Sequence, residues 1–123
     1  MEWSIVAGRP VYLQLIEQLE LAIVAGEYRA GARLPGVREM AAGAAVNPNT
    51  MQRALTELER TQLIENQRTN GRTVTEDAAM IEKERRTIAE EELKACLVRM
   101  QKLGISPEEL IEMIRKSGKE KEN

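Results

Sequence analysis

Asn49, Thr50, Gln52 and Arg53 carry the most readable chemistry in the chain. A side-chain amide offers a donor and an acceptor that match the edge of adenine, and a guanidinium fork matches guanine or a phosphate. Arg38 stands upstream of this cluster, and the run Thr69-Asn70-Gly71-Arg72 stands downstream. A glycine in that run lets backbone approach a surface closely, and Arg72 beside it is suited to a narrow groove. No other constellation competes. With no histidine and a single cysteine, Cys96, zinc sites of the usual donor sets and histidine-based triads are excluded. The sequence therefore names no catalytic residue, no metal ligand and no cofactor.

The elements that must position these side chains are legible in the periodicity. Between Pro10 and Gly26, Val11, Tyr12, Leu15, Ile16, Leu19, Ala22 and Ile23 recur at three- and four-residue steps, which predicts a helix. Pro10 suits its first turn and Gly26 its stop. Arg29 to Gly36 reads as a loop. A short helix is expected from Val37 to about Ala44, burying Val37, Met40, Ala41 and Ala44. Asn47 then serves as N-cap and Pro48 as first residue of a third helix. Its apolar face is Met51, Ala54, Leu55 and Leu58, and Asn49, Gln52, Arg53, Thr56 and Arg60 fall opposite. Such a helix packs one side on a core and presents amides and arginines outward. Leu63–Gln67 and Arg72–Thr75 read as two short strands around Asn70-Gly71, a dipeptide that favours hairpin turns because both residues tolerate positive φ. Arg68, Asn70 and Arg72 are placed at the hairpin tip.

After Thr75 the composition changes. Residues 1–75 hold eight Arg and eight Glu with neither Lys nor Asp, whereas every Lys lies at position 83 or beyond. Glu76 to Leu103 reads as a long charged helix with a sparse apolar stripe that includes Cys96, read as a structural residue, and Gly104 ends it. Ser106-Pro107-Glu108-Glu109 forms a capping box for a last helix, expected to close near Gly118. The stripe Ile88, Leu93, Leu97, Met100, Leu110, Ile111 and Ile114 exceeds what one helical pair can bury within itself, so a second copy of the chain is the expected cover. The boundary is placed between 1–76 and 77–123.

Net charge is −2 and aromatics number only three, Trp3, Tyr12 and Tyr28. The core must be aliphatic, which favours helices packed on helices. No stretch is long and apolar enough to cross a bilayer, and the first residues lack the basic region of a signal peptide. A cytoplasmic protein without a membrane partner is expected.

Helix, helix, turn, helix, hairpin is the order of a winged helix-turn-helix. The runs Leu34-Pro35-Gly36-Val37-Arg38-Glu39-Met40-Ala41 and Val46-Asn47-Pro48-Asn49-Thr50-Met51-Gln52-Arg53-Ala54-Leu55 resemble the GntR family of bacterial regulators. Leu58-Glu59, Leu63-Ile64 and Gly71-Arg72 follow in family order, and Pro10-Val11-Tyr12-Leu13-Gln14 resembles the start of the family's first helix. The likeness covers about residues 9–76. The short two-helix end resembles the YtrA-like subgroup, in which such an appendage dimerises the chain. The resemblance implies a mainly α fold with a small β-hairpin wing and a two-helix dimerisation appendage. It further implies a homodimeric repressor of a pseudo-palindromic operator, with a transporter operon as target. Double-stranded operator DNA is the implied partner, contacted through Arg38, Asn49, Thr50, Gln52, Arg53, Thr69, Asn70, Gly71 and Arg72. An unidentified small effector would have room only at the dimer interface.

Three residues depart from the family pattern. Many members have Ser in place of Gly36, Arg in place of Pro48 and Arg in place of Gln52. Readout here shifts toward Asn49, Gln52 and the wing. A winged helix that binds protein would expose apolar or aromatic anchors where this chain exposes Asn49, Gln52 and Arg53. An enzyme would need groups the chain lacks.

Overall fold

Pro10, with φ −53° and ψ 130°, is extended and stands immediately before α1 (Val11–Val24) as its N-cap. The computed structural model describes residues 1–122 and continues with α2 (Val37–Ala44), α3 (Pro48–Glu59), β1 (Ile64–Gln67), β2 (Gly71–Val74), α4 (Ala78–Lys102) and α5 (Pro107–Glu122). Contacts divide the chain into a unit from Met1 to Arg85 and a second from Arg86 onward. The five helices and antiparallel hairpin are the mainly α, winged arrangement expected from the sequence.

The first unit is assembled around α3. Met51, Ala54, Leu55 and Leu58 are fully buried, together with Leu15, Leu19 and Ile23 of α1, Met40 and Ala41 of α2, and Leu34, Leu63, Ile64 and Val74. Burying a Leu, Ile or Met side chain contributes about 1.5–3 kcal/mol, so this aliphatic cluster dominates the stability of the unit. Trp3, Ile5 and Tyr28 cover its margin. Burial, reinforced by Glu27 and Glu39, pushes the Tyr28 hydroxyl above its usual range.

Two polar residues of α1 do more than fill its outer face. Buried Gln14 accepts from the Val6 N–H at 2.9 Å and donates to the carbonyls of Val6, at 2.9 Å, and Arg9, at 3.0 Å. One turn later, Gln18 accepts from the Ser4 N–H at 2.9 Å and donates to the Ser4 carbonyl at 2.7 Å. The two amides bond backbone on both the donor and acceptor side and clasp the segment ahead of α1.

The stretch read as a loop from Arg29 to Gly36 is a loop that makes one isolated β-bridge to β2. Leu34 N–H donates to the Arg72 carbonyl and Val74 N–H to the Ala32 carbonyl, each at 2.8 Å, and Arg33 bridges Thr73. The residue before Pro35 is biased toward extended backbone, which lets this stretch line the outer edge of β2. On its other edge β2 pairs with β1 from Ile64↔Val74 to Gln67↔Gly71. The hairpin forms as expected, but its turn spans residues 68–70, and of Asn70 and Gly71 only the glycine has positive φ, at +67°.

α4 begins two residues later than expected. Asp77 Oδ1 accepts from Met80 N–H at 3.1 Å and so supplies a cap. Met80 and Ile81 pack on the first unit's core. Within the second unit, Gly104 at φ +78° ends α4. Ser106 Oγ accepts from Glu109 N–H at 3.2 Å, the expected cap of α5. α5 does not close near Gly118 but runs to Glu122. A helical glycine costs only about 1 kcal/mol, and Gly118 has no positive φ with which to end the ladder.

The clasp gives a direct test. Gln14→Ala strips three hydrogen bonds from partly buried backbone and should destabilise the unit by about 1–3 kcal/mol in urea unfolding. A change below about 0.5 kcal/mol, the range of ordinary surface substitutions, would show that the clasp contributes nothing.

Candidate nucleic-acid interface

The turn between α2 and α3 is made by Ala45, whose φ of +56° lies in the left-handed region. Its N–H donates to the Ala42 carbonyl, and Val46 N–H donates to the Ala41 carbonyl at 3.0 Å, closing α2 and reversing the chain. Asn47 then starts α3, its Oδ1 accepting from Asn49 N–H at 2.7 Å, and Pro48 follows at the first helical position. Both assignments agree with the sequence reading.

With Met51, Ala54, Leu55 and Leu58 held inside, the helical repeat forces Asn49, Gln52, Arg53 and Thr56 to the exposed side, while Thr50 is half-buried. Gln52 Nε2 reaches Thr56 Oγ1 only at 3.4 Å, a weak tether that leaves the amide available. Arg53 is more constrained: its guanidinium lies 3.6 Å from the centre of the Tyr12 ring. Stacking holds the flat group in place while its N–H donors point outward from the guanidinium rim. Arg38 is exposed in the first turn of α2, where Gly36 provides an extended N-cap without a side-chain bond.

In the wing, Thr69, Asn70 and Gly71 are exposed at and beside the turn. Arg72 is not at the tip. It lies in β2 opposite Asn66, only 13% exposed, and its Nε donates to Glu59 Oε1 of α3 at 2.6 Å. The alternation of a strand sends neighbouring side chains to opposite faces, and Arg72 falls on the face toward α3. Two exposed arginines flank the turn instead. Arg68 is in it, and the Arg33 side chain lies near Gly71, where a Cβ would sit 3.9 Å from Arg33 Nε. The sequence reading put Arg33 in a loop. The bias toward extended backbone before Pro35 was the available signal that this stretch runs beside the hairpin.

The resulting surface presents amides on a rigid helix and guanidinium groups on helix and wing. That combination suits contact with base edges and phosphates. Among the described residues no group of three His, Cys, Asp or Glu side chains is arranged to hold a metal ion, and no helix is long and apolar enough to cross a membrane.

Residues 11–74, from the start of α1 to the end of β2, match the bacterial regulatory proteins of the gntR family. The chain belongs to the GntR family. It is 36% identical over 109 residues to the HTH-type transcriptional regulator YhcF of Bacillus subtilis, covering 89% of this chain and 90% of YhcF. It is 34% identical over 110 residues to the HTH-type transcriptional repressor YtrA of the same organism, covering 89% and 85%. A GntR family transcriptional regulator from Listeria monocytogenes superposes with a TM-score of 0.85 at 38% identity, covering 91% of this chain and 98% of that one. Like these GntR relatives, the protein is a transcription regulator with a DNA-binding helix-turn-helix and not an enzyme. Its likeness extends through the short C-terminal helices to YtrA.

The placement of α3 generates a prediction about readout. Gln52→Ala or Arg53→Ala should weaken specific DNA binding by about 1–3 kcal/mol, and neither should unfold the domain, because neither side chain enters the core; Arg53→Ala should lose at most the roughly 0.5–1 kcal/mol of its stack on Tyr12. Unaltered affinity in both variants would remove α3 from the reading role.

Proposed function

We propose that this GntR regulator is a repressor that occupies a pseudo-palindromic operator as a homodimer. One winged domain makes too few contacts to select an operator from a genome, and two copies at fixed spacing multiply the discrimination. The supporting observation is the apolar surface of the second unit. Leu93, Val98, Leu103, Ile111, Met113 and Ile114 are all exposed, Leu103 by 70%, and Leu110 is the unit's one buried hydrophobic residue among those described. Ile88, Leu97 and Met100 are half-buried. A second copy is the cover this reading assigns to Ile88, Leu93, Leu97, Met100, Ile111 and Ile114, whereas Leu110, expected in the same stripe, is already buried within the chain.

In this reading residues 1–76 bind DNA and 77–123 dimerise. Arg38, Asn49, Thr50, Gln52 and Arg53 contact one half-site, with Thr69, Asn70 and Gly71 at the wing. Half-sites would lie about 10 bp apart or a multiple of that. Repression by blocking polymerase follows the name of YtrA, and control of a transporter operon is part of the same proposal. A crevice of about 560 Å³ formed by Leu97, Val98, Gly104, Ile105 and Pro107 is one place for a small effector in this proposal.

Light scattering at micromolar concentration should give twice the 13.9 kDa chain mass. A chain ended after Arg85, which keeps Met80 and Ile81 on the core, should stay folded, become monomeric and bind the operator weakly. Tight binding of a monomeric full chain to a single half-site would overturn the proposal.

A further inference from the structure

Glu59 is a carboxylate at the last position of the recognition helix. Close to a polyanion, such a charge opposes binding unless something offsets it. Its partner is Arg72, and three connections converge on that residue. Its Nε donates to Glu59 Oε1 at 2.6 Å, its backbone pairs with Asn66 of β1, and its carbonyl accepts from Leu34 N–H at 2.8 Å. One residue thus joins α3 to the hairpin and to the stretch carrying Arg33. The ion pair is partly shielded from water, with the Glu59 side chain 26% and that of Arg72 13% exposed. A short, charge-assisted bond in such a setting fixes geometry more firmly than a surface pair does.

A two-stranded hairpin is marginal by itself, and a small rotation at its root is magnified at its tip. The tip carries Arg68, Thr69 and Asn70, whose value to DNA binding depends on where they stand relative to Asn49, Gln52 and Arg53. We propose that Glu59 is a positioning residue for DNA recognition, holding Arg72 as a strut that sets the pose of the wing against the recognition helix. Arg72 then acts through the wing and not as a groove contact.

The sign of one substitution separates this from simple electrostatics. Glu59→Ala removes a negative charge, so a purely electrostatic role makes binding tighter. A positioning role makes it weaker. The probe is the duplex recovered by selection from a random-sequence library with the full-length chain. Glu59→Ala should weaken binding to it by about five- to tenfold, a coupling of the size seen between residues in direct contact. The dependence on salt should keep its slope, because Glu59 touches no phosphate, whereas loss of a phosphate-contacting arginine lowers the slope by about one. Glu59→Gln should recover most of the loss, since its amide oxygen still accepts from Arg72 Nε. Arg72→Ala added to Glu59→Ala should cost nothing more. Binding by Glu59→Ala as tight as wild type or tighter overturns the proposal. So does a further loss on adding Arg72→Ala with a lowered salt slope, which would make Arg72 a phosphate contact. Should Glu59→Ala fail to fold, Glu59→Gln decides against Arg72→Ala. Near-native affinity for the first with a loss and unchanged slope for the second supports the strut, and a lowered slope for the second overturns it.

Discussion

Met51, Leu55 and Leu58 lie wholly out of water on one side of α3, and α1, α2 and β1 each pack directly on that helix. Burial of this face fixes the rotation of α3 about its axis. At about 100° per residue, a one-residue slip would bring polar side chains into the core and carry Gln52 and Arg53 away from the outer face. The outward surface of α3 is therefore a by-product of packing: the core determines which amides and arginines face outward. The same constraint places Tyr12 of α1 where it can support Arg53.

The wing is held by different physics. It contributes Ile64 and Val74 to the core, but its outer residues are polar and its pairing is short. Its placement rests on directed bonds: the stretch from Ala32 to Leu34 along one edge of β2, and the Arg72–Glu59 pair beneath it. A helix seated by apolar burial and a hairpin seated by hydrogen bonds differ in mobility. Local opening is easier where few apolar contacts must be broken.

Helices α1 to α3 were legible in the sequence because their signals are local. Apolar spacing, Asn47 ahead of Pro48, and Gly26 after α1 each act within one or two turns. The hairpin was legible from Asn70-Gly71 for a similar reason, although only Gly71 adopts the left-handed conformation. What was missed depends on partners distant in sequence. Gln14 and Gln18 look like ordinary outward residues until the segment from Ser4 to Arg9 folds against them. Arg33 looks like loop until β2 supplies an edge, and Arg72 looks like a tip residue until Glu59, thirteen positions earlier, claims it. Gly118 misled in the other direction, because glycine permits a helix end without requiring one. Of the candidate contacts, those on α3 depended only on helical phase, and Asn49, Gln52 and Arg53 emerged on the exposed side with Thr50 half-buried. Those on the wing depended on strand register, which the sequence specifies less strongly.

The start of α3 has a consequence for how this protein can grip a phosphate. A helix N-terminus ordinarily offers several free backbone N–H groups, a ready anion site that works without charged side chains. Here Pro48 has no N–H to give, and the N–H of Asn49 is already taken by the Asn47 side chain. Much of that backbone anion site is closed by the residues that make the helix start well. In the proposed DNA-binding reading, phosphate contact from α3 then falls to its side chains, and guanidinium contacts release counterions from DNA. On that reading, the cap that orders α3 ties this helix's share of the hold on DNA more closely to the ionic strength of its surroundings.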